Sequence, residues 1–174
     1  MTIEPVTDSM AIALVAGLAK EIWNQHFVSI IGQHQVDYML EQFQSAEAIQ
    51  TQLHSGYEYY LARIDSEPAG YIGIIPDEPS EKMLLSKIYV KNSARGTGLG
   101  KALLEFAKKR ARETNAKAVW LTVNRKNIQT VEWYKRKGFT IIDEVKKDIG
   151  SGFCMDDYIM ELKLDGPGSD LNDA

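Results

Sequence analysis

The chain has 174 residues, and at roughly 100 to 200 residues per domain that length predicts one globular domain with its own core. Hydrophobic types at 44% and charged types at 25%, with 13 Gly and 5 Pro, exclude a collagenous, low-complexity or disordered chain. The 20 Lys+Arg against 24 Asp+Glu give a net charge of -4, which argues against a nucleic-acid binder, and the single Cys excludes a disulfide framework or a zinc-type cluster, so no metal is expected.

In chain order, Thr2 to Val6 reads as a short strand. Ser9 to Ile31 carries Leu14, Leu18, Ile22 and Trp23 at helical spacing, which predicts one long amphipathic helix. A second helical region is expected from about Gln35 to Phe43, and a third begins at Ser45 as N-cap and ends near Gly56. Tyr57 to Ile64 and Ala69 to Ile75, separated by Asp-Ser-Glu-Pro, predict a hairpin, and Met83 to Val90 a third strand. Leu99, Leu103, Phe106, Ala107 and Ala111 make a helical stripe among Arg and Lys. Ala118 to Val123 reads as a buried strand, and Asn127 to Lys137 as a helix closed by Gly138. Thr140 to Val145 and Phe153 to Leu164 complete the set. This is an α/β order with a mixed sheet, expected as a single domain over residues 1–164, with 165–174 a frayed tail. Met1 to Val15 lacks a basic stretch followed by an apolar one, and no run of 18 apolar residues occurs. A soluble, cytoplasmic protein without a membrane partner is expected.

The average charge conceals a split. Between Lys87 and Lys137 there are 14 basic residues and 3 acids (Glu105, Glu113, Glu132), a local +11; the remainder carries 6 basic and 21 acidic residues, a local -15. An anionic ligand is drawn to such a middle segment through a field screened over ~8 Å at physiological salt.

Between the strand ending at Val90 and the next helix lies Arg95-Gly96-Thr97-Gly98-Leu99-Gly100-Lys101. Successive glycines let backbone approach a ligand without a Cβ in the way, and the free amides of a helix's first turn point at whatever sits there, which makes the stretch a phosphate-cradle candidate. It is not a Walker loop, since Arg95 sits five before Gly100 and Ala102 replaces the hydroxyl residue. Nor is it the dinucleotide fingerprint, since Lys101 stands where the third glycine belongs.

What remains is an Arg-x-x-Gly-x-Gly stretch after a strand, and with it the chain resembles the GNAT superfamily of acyl-CoA-dependent N-acetyltransferases. A second match, Asn127 through Tyr134 to Gly138-Phe139, follows the family's Asn-x(6)-Tyr-x(3)-Gly-Phe pattern; the likeness covers about Tyr57 to Leu164. It implies a mixed, mostly antiparallel sheet flanked by helices, split by the acyl-CoA between Met83–Val90 and Ala118–Val123. It also implies acetyl-CoA as co-substrate: backbone of Ile88, Tyr89 and Val90 pairs with the pantetheine arm and polarises the thioester carbonyl. By the same resemblance the amides of Arg95, Gly96, Thr97, Gly98, Leu99, Gly100 and Lys101 would hold the pyrophosphate, and Asn127 would bond the pantetheine region. Lys101 or Lys137 would neutralise phosphate charge, and Tyr134 would be the catalytic acid for the departing thiolate.

The nucleophile is the neutral amine, and a lysine-like amine of pKa ~10.4 is neutral at pH 7 in about one molecule in 2,500, a barrier near ~4.6 kcal/mol. Some base must help. Many members of the family carry a Glu on the strand before the Gly-rich loop; this chain has Leu84-Leu85-Ser86-Lys87, which leaves His26, Asp156, Asp157 or a water chain open. Cys154 reads as a small strand hydrophobe and not an acyl-enzyme nucleophile.

By the same resemblance the acceptor pocket is built from the N-terminal helices and the last strands, with Trp23, His26, Tyr38, Asp156 and Asp157 as substrate-binding candidates. The acidic stretch Asp148 to Tyr158 is similar to the corresponding region of bacterial polyamine acetyltransferases, which implies a small primary amine such as a polyamine. A protein or peptide amine is the alternative for the acceptor; a non-catalytic acyl-CoA-binding sensor is an alternative of another functional class, disfavoured by Tyr134. A nucleic-acid module on Lys108, Lys109, Arg110 and Arg112, expected on a helix's outer face, is disfavoured by the net charge and by the lack of interleaved aromatics. A homodimer is left open.

Overall fold

A computed structural model describes residues 1–164, so the tail expected to fray lies outside the described residues. The chain forms two compact units: Met1–Ile75 with Ser86–Ala107, and Pro76–Leu85 with the chain from Lys108 onward.

In the first unit β1 (Thr2–Pro5) pairs antiparallel with β2 (Glu58–Ile64), Thr2 opposite Arg63 and Pro5 opposite Tyr60. β2 turns into β3 (Glu67–Ile75) through Asp65 and Ser66, both at positive φ (51° and 70°), which gives the two-residue reversal that suits strand twist. The C-terminal half of β4 (Lys82–Val90) lies beside β3 and runs against it: the Lys91 amide bonds the Ala69 carbonyl at 2.9 Å, while Lys87 faces Gly73. At Gly70 of β3 a Cβ would stand 2.7 Å from the Tyr89 carbonyl oxygen, so only glycine permits this approach.

Over these strands lie the N-terminal helices. Helix α1 (Ser9–His26) is capped by Asp8, whose carboxylate accepts the Ala11 amide at 2.8 Å, and it buries Ile12, Val15, Leu18, Ala19, Ile22 and Trp23. The single long helix expected to Ile31 is instead broken. Phe27 ends α1 with its amide on the Trp23 carbonyl and its ring buried against Trp23, and a short α2 (Val28–Ile31) follows until Gly32 at φ +85°. Helix α3 (Gln33–Met39) starts two residues earlier than expected and passes without interruption into a π-helical segment, Leu40–Gln44. Ser45 caps α4 (Ala46–His54) as expected, its hydroxyl accepting the Ala48 amide at 3.1 Å.

In the second unit the N-terminal half of β4 pairs in parallel with β5 (Ala118–Asn124) at Lys82–Leu84 opposite Ala118–Trp120. β5 pairs antiparallel with β7 (Phe153–Lys163), from Ala118 opposite Lys163 to Asn124 opposite Asp157, and β7 with β6 (Thr140–Gly150). Hydrogen-bonded neighbours run in the order β1-β2-β3-β4-β5-β7-β6, a seven-stranded, mostly antiparallel sheet flanked by helices. β6 outruns its expected end at Val145 by five residues, so the acidic stretch from Asp148 forms a hairpin turning at Ser151-Gly152. Helix α5 (Leu99–Glu113) starts in the first unit and ends in the second; α6 (Ile128–Arg136) belongs to the second. On α5, Lys108 is buried at 6% exposure, which corrects its expected place on an outer face. Cys154, expected as a strand hydrophobe, is exposed. Val15, Leu61, Ile72, Leu99 and Leu103 are fully buried in the first unit, and Met83, Val119 and Met160 in the second. Each contributes about 1.5–3 kcal/mol relative to an exposed side chain.

Candidate functional site

The first unit holds the glycine-rich turn. β4 ends with Ile88, Tyr89 and Val90 half-buried; a 3-10 turn at Asn92–Ala94 follows, and Arg95 leads into Gly96 and Gly98 at φ +79° and +86°. Both glycines are left-handed, and a Cβ at either would meet no atom within 4 Å, so the turn faces open space. The Thr97 hydroxyl donates to the Ala94 carbonyl at 2.5 Å, which fixes the turn from inside. The first helical bond of α5 is Ala102 amide to Gly98 carbonyl at 3.0 Å, and this geometry aims the amides of Leu99, Gly100 and Lys101 out of the helix end. Arg95 and Lys101 are exposed, and the Arg95 guanidinium lies 3.4 Å from His26 Nδ1 at the end of α1.

The acceptor candidates of this unit divide. Trp23 is 4% exposed and packed on Phe27 (ring centroids 4.3 Å apart) and Tyr89 (5.6 Å), so it serves as core and presents no face to a substrate, contrary to expectation. His26 sits half-buried, edge-on to Phe27 at 4.8 Å, and Tyr38 is half-buried on α3.

Sequence reading missed Lys87. It is 5% exposed on β4, and its ammonium donates to the Phe43 carbonyl and to Gln52 Oε1 at 3.0 Å, with the Tyr57 and Tyr59 rings 5.9 and 5.2 Å away. Loss of hydration pushes its pKa down to about 7. The available signal was parity: Met83, Leu85 and Lys87 share the buried side of the strand.

The second unit holds the other motif. β5 ends at Asn124, whose side-chain oxygen accepts the Lys126 amide at 2.9 Å and whose carbonyl accepts the Asn127 amide at 2.9 Å, a turn that seats Asn127, buried, at the start of α6. Two turns on, Tyr134 is 6% exposed with its ring between Trp133 (5.3 Å) and Phe139 (5.4 Å). Burial pushes its phenol well above the ordinary range. A buried phenol of this kind delivers a proton only to a partner desolvated with it, since the same environment raises a thiolate's proton affinity. Lys137 places its ammonium 5.6 Å over the Trp133 ring, and Gly138 at φ +98° closes the helix as expected.

On β7 two adjacent aspartates have opposite surroundings. Asp156 accepts from Arg125 at 3.0 Å, and Arg125 also pairs with Glu144 at 3.3 Å and lies over the Tyr158 ring at 5.0 Å. Asp157 is 2% exposed and bonded by Thr122; its Oδ1 is sealed without a hydrogen-bond partner among the described residues, and burial pushes its pKa up to about 6. The structure thus gathers Ile88–Val90, the Arg95–Lys101 turn and His26 in one unit, and Asn127, Tyr134, Lys137, Asp156 and Asp157 in the other. Among the described residues no group of three or more His, Cys, Asp or Glu could hold a metal ion, and no helix is long and apolar enough to cross a membrane.

A model of the acetyltransferase (GNAT) family matches residues 18–139. An uncharacterized N-acetyltransferase from the pepI 3' region of Lactobacillus delbrueckii subsp. lactis is 30% identical over 95 residues, which cover 51% of this chain and 55% of that protein. An uncharacterized N-acetyltransferase of Mycobacterium tuberculosis is 32% identical over 103 residues, covering 59% of this chain and 65% of its own. The chain therefore spans little more than half to about two-thirds of the length of these curated relatives. In fold it is similar to the PaiA N-acetyltransferase of Thermoplasma acidophilum, solved in complex with coenzyme A, at a TM-score of 0.75 and 23% identity over 94% of this chain and all of that one.

Proposed function

The chain belongs to the acetyltransferase (GNAT) family, and from that premise we propose that it moves the acetyl group of acetyl-CoA directly to a small primary amine, such as a polyamine. The observation that carries the reading is the turn after β4. Two left-handed glycines open onto free space ahead of the first turn of α5, and this fits a diphosphate held by main-chain N–H groups. The coenzyme A complex of the Thermoplasma protein of the same fold supports the same ligand.

Each group then has a chemical task. Main-chain N–H groups of Ile88–Val90 hold the pantetheine arm and steady the negative charge that builds on the thioester oxygen. Arg95 and Lys101, exposed at the turn, meet phosphate charge, with Lys137 assisting, and Asn127 holds the pantetheine amides. Asp157 takes the proton from the acceptor amine through the side-chain hydroxyl of Thr122, an exposed residue, while Asp156 is engaged by Arg125. Tyr134 returns a proton to the departing thiolate. His26, next to the Arg95 guanidinium, and Tyr38 flank the acceptor. The exposed carboxylates Asp143 and Asp148 of β6 favour an amine with a second, distant positive charge.

The test is thiol release from acetyl-CoA with spermidine, putrescine, 2-phenylethylamine and an N-terminal alanine peptide. Tyr134→Phe is expected to lower kcat by about 10²-fold or more while the Kd for acetyl-CoA stays within about twofold. Equal turnover by the variant removes the acid role. Preference for the peptide replaces the small-amine reading, and no heat of mixing with coenzyme A removes the enzyme.

A further inference from the structure

Lys87 is a buried cation that the chemistry above does not use. It stands on β4 immediately before the Ile88–Val90 strip, and the groups facing it are the Phe43 carbonyl, the Gln52 amide, the rings of Tyr57 and Tyr59, and Gly73 of β3. None is acidic, and burial is what shifts its titration. An ammonium with no carboxylate to answer it is costly to bury, so its place calls for a reason other than adhesion.

Its partners supply one. Phe43 stands next to the last residue of the π-helical segment, where the end of the helix leaves carbonyls without an intrahelical amide. That carbonyl accepts from Lys87 and from Gln52 Nε2 at 3.1 Å, while Gln52 Oε1 accepts from Lys87 and from the Tyr59 hydroxyl. Next in the segment, Gln44, 4% exposed, accepts the Tyr71 hydroxyl at 2.9 Å, and the Tyr71 ring lies 5.4 Å from that of Tyr89. At its other end the segment continues directly from α3, the helix of Tyr38.

We propose that Lys87 is a positioning residue for the acceptor amine: its ammonium fastens the π-helical segment and α4 to β4, and thereby sets the helix that flanks the acceptor. The proposal rests on the acetyl-transfer reading, in which the N-terminal helices receive the amine. Lys87 touches neither substrate nor thioester. It fixes the register of the segment, a role for buried polar groups that is separate from net stability.

The experiment compares wild type, Lys87→Met, which keeps the stem and drops the donors, and Lys87→Gln, which restores one donor. Lys87→Met is expected to raise the KM for the best amine of the panel at least tenfold, with kcat within about threefold and the Kd for acetyl-CoA within about twofold. Amide hydrogen exchange is expected to quicken at least tenfold in 40–44 and in α4, and to stay unchanged in α5. Lys87→Gln should recover part of both effects. An amine KM within twofold of wild type, or acetyl-CoA affinity lost in parallel with it, overturns the proposal. Should Lys87→Met fail to fold, Lys87→Gln carries the same two measurements. Wild-type protein that gives no heat with coenzyme A sinks the acetyl-transfer reading instead, and the exchange data still report whether Lys87 holds the segment.

Discussion

Asp156 and Asp157 share a residue type and a strand yet have opposite surroundings, and the proposed reading gives the proton to Asp157 alone. Asp156 answers Arg125, whereas Asp157 holds its proton to about pH 6, against an ordinary value near ~3.9. Between those values the folded chain binds more protons than the unfolded one. The contribution of Asp157 to stability is therefore complete below about pH 4 and lost as pH rises through 6. Asp157→Asn cannot ionise, and is expected to outlast wild type at pH 7 by about 1–3 kcal/mol in denaturant melts. As catalyst, it should lose about 10²–10³ in kcat/KM together with the limb of the pH profile that rises near pH 6. A surviving limb assigns the base elsewhere. Lys87 has the opposite slope. In the fold its pKa drops to about 7, so from there to about pH 10 the unfolded chain holds the extra proton and stability rises with pH. The stability difference between wild type and Lys87→Met should move by on the order of 4 kcal/mol in favour of wild type from pH 7 to 10. A pH-independent difference would mean that the amine is hydrated in solution.

At the scale of elements, the turn before α5 and the start of α6 carry the recognisable chemistry, and both were legible because they depend on residue types at fixed spacing. Gly98→Val puts a β-branched residue at φ +86°. A Cβ there meets no protein atom within 4 Å, so the cost is a backbone forced out of the left-handed region and, in the proposed reading, a Cβ among the amides that would face the phosphates. Calorimetry should show acetyl-CoA affinity down at least tenfold with Tm within a few degrees of wild type; retained affinity would detach the turn from the ligand. The Ser45 cap, the Gly138 stop and the interior strands were equally readable, since each has a local cause. What escaped lacked one. Apolar spacing runs through Phe27 and hides the break after α1, and nothing in Leu40–Gln44 distinguishes π from α winding before its tertiary partners are known. β6 beyond Val145 is an edge strand exposed along most of its length, so backbone pairing to β7 holds it without an apolar alternation to announce it. Lys87 meets Phe43 and Gln52 from 44 and 35 residues away, and such contacts leave no trace in local pattern.

Across the whole chain, charge tells more than either motif about how an anionic co-substrate is gathered. The segment from Lys87 to Lys137 holds 14 basic residues, of which Lys87 and Lys108 are buried, while Arg125 and Lys117 answer carboxylates outside the segment. Of the three acids in the segment, Glu113 is paired with Arg110 at 3.4 Å and Glu132 with Lys135 at 3.2 Å, each spending one cation locally. Such exposed pairs are worth less than about 1 kcal/mol each and leave a net positive segment. A multiply charged phosphate ligand should respond to that excess through screening, which shortens from ~10 Å at 0.1 M salt to ~3 Å at 1 M. Raising sodium chloride from 50 to 500 mM is expected to weaken acetyl-CoA binding about tenfold, chiefly through a slower on-rate. The same change should leave binding of a phosphate-free pantetheine thioester within about twofold. If both ligands respond alike, or neither does, then the basic segment is a solvated surface and the turn alone recruits the co-substrate.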